Sequence, residues 1–143
     1  MPKLTVEIVT AERSVLETEA DVLIAPSTEG TIGILPRHAP LLTALKPGVM
    51  TLRNNGVEEL LAVSGGFLQV SNNRVLILAD TAERAEELDE QRAAEAVARA
   101  QAALAEARSH PGEALQASAA RAALSRSLAR LNVAQRRKRR TST

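Results

Sequence analysis

A chain of 143 residues and 15.2 kDa holds one compact domain, or one small domain with an appendage. It has no Cys, two His (His38 and His110), no Trp, no Tyr and a single Phe, which excludes a disulfide framework and a thiolate or His-rich metal site and leaves little on which to stack bases. The 18 Lys plus Arg nearly balance the 17 Asp plus Glu, for a net charge of +1, so overall charge selects no partner.

The first predicted element is Lys3–Ile8, where polar and apolar residues alternate and set Leu4, Val6 and Ile8 on one face of a strand. Asp21–Ala25 reads as a second strand stopped by Pro26, and Thr31–Leu35 as a third stopped by Pro36. Lys46-Pro47-Gly48 reads as a turn. Val49–Arg53 and Glu58–Val63 flank Asn54-Asn55-Gly56, a hairpin signal because Asn and Gly tolerate positive φ. Phe67–Val70 and Arg74–Leu78 flank Ser71-Asn72-Asn73 in the same way, with Gly65-Gly66 marking a bulge or turn between strands. Strands at this spacing predict a sandwich or barrel.

Beyond Asp80 the composition changes. Residues 1–80 carry 6 basic and 9 acidic side chains, a balance of −3; residues 81–143 carry 12 and 8, a balance of +4. Six of seven Gly lie at or before Gly66, whereas Ala82–Ala134 holds 19 Ala in 53 residues, the composition of helix rather than strand. Glu83, Glu86, Glu87, Asp89 and Glu90 crowd the start of this part and suit the positive end of a helix dipole. Helix one is predicted from about Glu87 to Arg108, broken by Ser109-His110-Pro111-Gly112. Helix two is predicted from about Glu113 to Ala134, with Leu124, Leu128 and Leu131 on its apolar seam. The basic run Arg136-Arg137-Lys138-Arg139-Arg140 follows, with a disordered tail.

The predicted fold class is therefore α+β: an N-terminal antiparallel β-sandwich over residues 1–84 and a C-terminal helical hairpin with a basic tail over 85–143. Large apolar residues are few in the hairpin, and an Ala seam buries little area. The helices need a docking surface, and their docked state is expected to lie close in energy to alternatives. No apolar run approaches the ~20 residues that span a bilayer, and the N-terminus lacks the apolar core of a signal peptide, so no direct membrane insertion is expected. The basic tail favours a nucleic-acid-binding module as the alternative function; the scarcity of aromatics, the acidic first part and the small net charge oppose it. No nucleophile–base pair stands out to support an enzyme.

Three stretches carry a family resemblance: EGTIGILPRHAPLLTALKPG (Glu29–Gly48), AVSGGFLQV (Ala62–Val70) and VLILADTAERAEELDEQRA (Val75–Ala93). In this order and spacing the chain resembles the epsilon subunit of the bacterial F-type ATP synthase, from near its N-terminus to about Ala134. The resemblance implies a non-catalytic subunit of the central stalk. It would couple the membrane rotor ring of c subunits to the gamma subunit during proton-driven ATP synthesis, as a peripheral protein on the cytoplasmic side of the cell membrane. It also implies that the hairpin can leave the sandwich, extend along gamma and inhibit ATP hydrolysis in the catalytic head.

Site residues follow from the same resemblance. Glu29, Gly30 and the Pro36–Pro40 turn with His38 match positions near the rotor ring; read alone, they are an edge loop with a surface His. Arg126, Arg130, Arg136 and Arg137 would meet acidic side chains of the alpha and beta subunits when the hairpin extends. The stretch Leu88-Asp89-Glu90-Gln91-Arg92-Ala93 matches the motif by which some members bind ATP. Glu83, Asp89, Arg92, Arg126 and Arg130 are then the ATP-binding positions, with ATP regulatory and no cofactor or metal required. There is no glycine-rich phosphate loop. Read without the family, Asp89 and Arg92 are an i, i+3 surface ion pair worth ~0.2–0.5 kcal/mol.

Overall fold

The computed structural model describes residues 2–110, 112 and 114–141, the side chains of 138–141 excepted. Pro111 of the predicted helix break, Glu113 of the predicted helix-two start and the last two residues of the tail lie outside the described residues. The elements are β1 (Leu4–Val9), β2 (Ser14–Ala20), β3 (Val22–Ser27), β4 (Gly30–Ile34), β5 (Leu41–Asn54), β6 (Val57–Ser71), β7 (Arg74–Ala79) and β8 (Ala82–Arg84). A 3-10 turn (Ala85–Glu87) leads into α1 (Glu90–Arg108) and α2 (Ala114–Thr141).

The strands pair in the order β2-β1-β7-β6-β5-β3-β4, with β8 also on β6. Two long strands make two layers from this one path. The second half of β6 pairs β7 over Gly66–Ser71, and its first half pairs β8 over Leu61–Val63. The inner layer edges therefore meet along β5 and β6: β2, β1 and β7 lie on one side, and β3, β4 and β8 on the other. We call these layer one and layer two. Leu4, Ile8, Leu23, Ile34, Met50, Leu61 and Ile77 are fully buried between them. The two predicted hairpins are present: Asn55 and Gly56 (φ 53° and 78°) join β5 to β6, and Asn72 and Asn73 (φ 50° and 62°) join β6 to β7. Positive φ at both central residues is the turn whose twist matches the strands.

Several expectations are corrected. The sheet is not wholly antiparallel, because β1 runs parallel to β7; more than 60 residues separate them, ample for the crossover that parallel pairing needs. β2 lies outside the predicted set; it is an edge strand in which only Ala20 is fully buried, and so it lacks a clean apolar alternation. Lys46-Pro47-Gly48 is not a turn but the middle of β5, where Leu45 and Pro47 pair Gly66 and Ser64 in one register. Pro26 does not stop β3; it packs on Gly48, where a Cβ would stand 2.8 Å from the Pro26 Cβ. Gly66 sits inside β6 at φ 119°, and a Cβ there would stand 2.0 Å from the carbonyl oxygen of Leu78. Glycine is required there by the close approach of β7, not by a turn between strands.

The helices differ from expectation at both ends. α1 begins at Glu90, because Asp89 is its N-cap: the Asp89 carboxylate accepts from the Arg92 backbone N–H at 3.0 Å. α2 continues to Thr141, past the predicted end near Ala134, so the basic run lies within the helix. Arg and Lys are good helix formers, and no Gly or Pro follows Gly112 to stop the helix. The predicted seam of α2 is shifted. Leu128 is 45% exposed, while Ser127, Ala129, Val133 and Ala134 are buried. α2 has two neighbours to satisfy, α1 on one side and β5 and β6 on the other, and small residues let it approach both. α1 buries Ala93, Val97, Ala100, Leu104 and Ala107, a 4-3-4-3 spacing that makes a heptad seam.

Candidate functional site

The outer face of layer two is covered by the chain itself. In β6, Leu61 and Val63 point into the core, so Leu60 and Ala62 point outward. Ala129 and Val133 of α2 pack on Leu60, Ala62 and Ala85, with Val49 and Leu88 at the margin. Val133 is fully buried. Among the described residues, Ala129 and Val133 supply the buried apolar contact of α2 with the sandwich, small beside the sandwich core.

Charges surround that contact and converge on residues 83–87. Glu83 sits opposite Ala62 in β8, on the face that α2 covers. The Arg130 Nε donates to the Glu83 Oε1 at 2.5 Å. One turn beyond Val133, the Arg137 Nη1 donates to the Ala85 carbonyl at 3.0 Å. Arg84 pairs with Glu59 of β6 at 2.6 Å and with Glu86 at 3.5 Å. The Arg13 Nη2, from the turn between β1 and β2, donates to both oxygens of Glu87 at 3.1 and 3.0 Å. The Arg13 hydrogen bond and charge hold the Glu87 carboxyl below the ordinary glutamate range, and Glu87 raises Arg13 in return. At the far end of the sandwich, Lys3 does the same for Asp21, aided by the Asn55 backbone N–H.

Of the five predicted ATP positions, two are brought together: Glu83 and Arg130, as an ion pair. Asp89 is engaged as a helix cap, and the contact between Asp89 and Arg92 is to the Arg92 backbone, not the guanidinium. Arg92 is exposed and Arg126 half-buried. A cleft of about 770 Å³ opens beside Asp89; among the described residues Glu86, Glu87, Asp89 and Glu90 line it together with the cation of Arg137. Arg92, Arg126 and Arg130 are not part of that lining.

The predicted ring-facing residues lie on two loops. Glu29 is exposed in the turn between β3 and β4, next to Gly30 at φ 119°. His38 lies in the loop from β4 to β5, whose path is fixed by the Arg37 N–H donating to the Asn73 Oδ1 at 2.6 Å and the His38 N–H donating to the Leu35 carbonyl at 3.1 Å. Arg136 and Arg137 lie exposed on α2.

Layer one presents a bare outer face. Phe67 stands directly across from Ala44 and Leu78, and Leu42 is two residues from Ala44, so all four share one side. Leu42 is 70%, Phe67 57% and Leu78 51% exposed. The sequence places Phe67 and Leu78 on predicted strands and Leu42 on none, and assigns none of the three a role; the one aromatic of the chain, at an alternating position outside the core, was the available signal. Arg13 and Glu87 had no sequence signal, since 74 residues separate them.

Two family models match the chain: the beta-sandwich domain of the ATP synthase delta/epsilon chain over residues 3–85, and its long alpha-helix domain over 86–135. The chain is 50% identical over 138 residues to the ATP synthase epsilon chain of Dehalococcoides mccartyi, covering 96% of each. It is 51% identical over 137 residues to that of Herpetosiphon aurantiacus, covering 96% of this chain and 98% of the relative. In fold it is similar to a chain of the Euglena gracilis mitochondrial ATP synthase, with a TM-score of 0.73 at 24% identity over 86% of this chain and 76% of that one.

Proposed function

The chain belongs to the delta/epsilon family of ATP synthase chains, and from that premise we propose that it is the epsilon-type subunit of the central stalk. It contributes no catalytic group. It joins the membrane rotor ring to the gamma subunit and serves as a peripheral protein on the cytoplasmic side of the membrane. The observation that carries this reading is the contrast between the two outer faces of the sandwich. Layer two is covered by the chain's own hairpin, while layer one leaves Leu42, Phe67 and Leu78 exposed side by side. A contiguous exposed apolar strip on a small rigid domain is a docking face, and we assign it to gamma. Glu29, Gly30 and His38 then meet the polar loops of the c ring.

The hairpin is the regulatory part. It is held to layer two by a small contact, and α2 carries Arg126, Arg130, Arg136 and Arg137 toward its C-terminal end. On release these arginines meet acidic surfaces of the alpha and beta subunits and oppose ATP hydrolysis. Regulatory ATP would be met by Arg92, Arg126 and Arg130, and its binding has to draw Arg130 away from Glu83; bound ATP would then favour the folded hairpin by mass action. Truncation after Glu113 in the assembled enzyme tests the reading. Assembly should be intact and ATP hydrolysis raised several-fold; unchanged hydrolysis would show that the hairpin is not a brake.

A further inference from the structure

We propose that Asn55 is a site of spontaneous covalent modification, deamidation through a cyclic imide with Gly56, and that the Lys3 ammonium is the group that activates it. The chain has five Asn: Asn54, Asn55, Asn72, Asn73 and Asn132. Only Asn55 precedes a glycine, whose missing Cβ leaves its nitrogen open to approach a neighbouring side chain. Asn is among the thermally labile residues, but its surroundings decide how labile. Asn132 lies inside α2, where the next N–H is spent on the helix. Asn54 is followed by the Asn55 N–H, which donates to the Asp21 Oδ2 at 2.8 Å. Asn73 has its Oδ1 taken by the Arg37 N–H at 2.6 Å. Asn55 and Gly56 are both exposed, at the two central positions of the β5–β6 turn. Among the described residues nothing accepts from the Gly56 N–H or holds the Asn55 amide nitrogen.

The Asn55 oxygen, by contrast, is held by a cation. The Lys3 Nζ donates to the Asn55 Oδ1 at 3.0 Å, and it is fixed there by the Asp21 Oδ1 at 2.7 Å and the Asn54 Oδ1 at 2.6 Å. These three acceptors use all three ammonium hydrogens, and the Lys3 side chain is only 21% exposed. In the reaction, base from solvent takes the Gly56 amide proton and the Gly56 nitrogen attacks the Asn55 Cγ. A Cγ–N bond forms, and the negative charge gathers on Oδ1, beside the ammonium that already points at it. Collapse breaks the bond from Cγ to Nδ2, which takes a proton from water and leaves as ammonia. Water then opens the imide at either carbonyl, giving aspartate or β-linked isoaspartate. Both products place a new carboxylate beside Asp21. Isoaspartate also adds a methylene to the backbone of a two-residue turn that sets the register of Asn54 on Val57 and Arg53 on Glu58. The change therefore falls on the hairpin between the two longest strands of the sandwich.

Incubation of the full chain at mildly alkaline pH, followed by peptide mass mapping, tests this. Deamidation adds one mass unit at the converted residue, and enzymatic methylation of isoaspartate tells the two products apart. Conversion at Asn55 should run at least about tenfold faster than at Asn72, which occupies the same kind of turn without a following glycine. Lys3→Met should slow Asn55 at least about threefold, and Lys3→Arg, which keeps a cationic donor, should stay within about twofold of the parent. Asp21→Asn separates activation from loosening, because it frees the same turn and leaves the ammonium in place. It should not slow conversion as Lys3→Met does. Asn55 converting no faster than Asn72 overturns the site. An unchanged or faster rate in Lys3→Met, or equal slowing in Asp21→Asn, overturns the activation by Lys3.

Discussion

The sandwich and the hairpin bury apolar surface in opposite ways. Between the layers the buried side chains are mostly Leu, Ile, Val and Met, many of them fully inaccessible. Along α1 the buried set is Ala, Val, Ala, Leu and Ala, and α2 meets the sandwich through Ala129 and Val133. A fully buried Leu or Ile contributes about 1.5–3 kcal/mol, so the sandwich core accumulates stability that an Ala seam cannot. The difference separates a region held by large buried side chains from one held by small ones. Under the proposed function, a domain that transmits torque has to deform little, and a hairpin that changes position has to be joined by contacts worth only a few kcal/mol.

The sharpest way to break the comparison is at Leu61, whose side chain is fully buried between the layers. Leu61→Ala should cost about 2–5 kcal/mol, measured by denaturant unfolding of the whole chain, because no neighbour in a closed sandwich can move in to fill the space. Ala129→Gly on α2 removes far less buried surface and should leave sandwich unfolding nearly unchanged. If the two variants lower the sandwich midpoint equally, the hairpin and sandwich are one cooperative unit and the division fails.

The bare face of layer one gives the next largest effect. Phe67→Glu sets a carboxylate in the middle of the strip formed by Leu42, Phe67 and Leu78, at a position already 57% exposed. Sandwich stability should change by no more than about 0.5 kcal/mol. Binding to the gamma subunit should weaken at least about tenfold, as for a central aromatic of an interface, read by co-purification and by surface-immobilised binding. Undiminished binding would move the docking face elsewhere.

Much of this contrast was legible in the sequence, for physical reasons. The change from Gly and alternating strands to Ala without Gly marks the sandwich and hairpin, because helix propensity and turn chemistry are local. The Asn-Gly and Asn-Asn turns were legible for the same reason. Lys46-Pro47-Gly48 misled because Pro and Gly signal turns on average, whereas here they serve the crossing of β5 between layers, where Pro26 needs the space of a missing Cβ. Leu60-Leu61-Ala62-Val63 is apolar without alternation because one side meets the core and the other meets α2, a distinction visible only once α2 is in place. The Leu seam of α2 was misplaced because α2 also has to meet the sandwich, through Ala129 and Val133, as well as α1. The residues matched to an ATP motif came from the resemblance alone, and nothing local revealed that Asp89 caps α1 or that Glu83 holds Arg130.

That pairing sets a smaller effect on the hairpin side. Glu83→Gln removes the charge opposing phosphate at Arg130, and a half-exposed pair of this kind is worth ~0.2–1 kcal/mol. Calorimetric titration with ATP should therefore show binding about two- to fivefold tighter in the variant than in the parent. No heat from either protein at millimolar ATP would remove the nucleotide from the account of this chain.

The smallest effect lies at the junction of the two regions, in the Arg13–Glu87 pair. Arg13 holds the Glu87 carboxyl below the ordinary glutamate range in the folded protein. The folded value is thus lower than the unfolded one, so the pair stabilises the fold fully above the unfolded pKa, and its contribution is lost as pH falls through the folded pKa. At neutral pH it is intact; in acid, Glu87 takes a proton and releases Arg13. Arg13→Gln should raise the Glu87 titration midpoint toward the ordinary glutamate value, followed by side-chain NMR. It should also flatten the acid dependence of exchange at 85–87 while leaving that of β6 unchanged. High salt should act in the same direction on the parent, since both side chains are partly exposed. An unshifted Glu87 in the variant would mean that the turn between β1 and β2 does not hold the linker, and the sandwich would then grip the base of the hairpin through β8 and Glu59 alone.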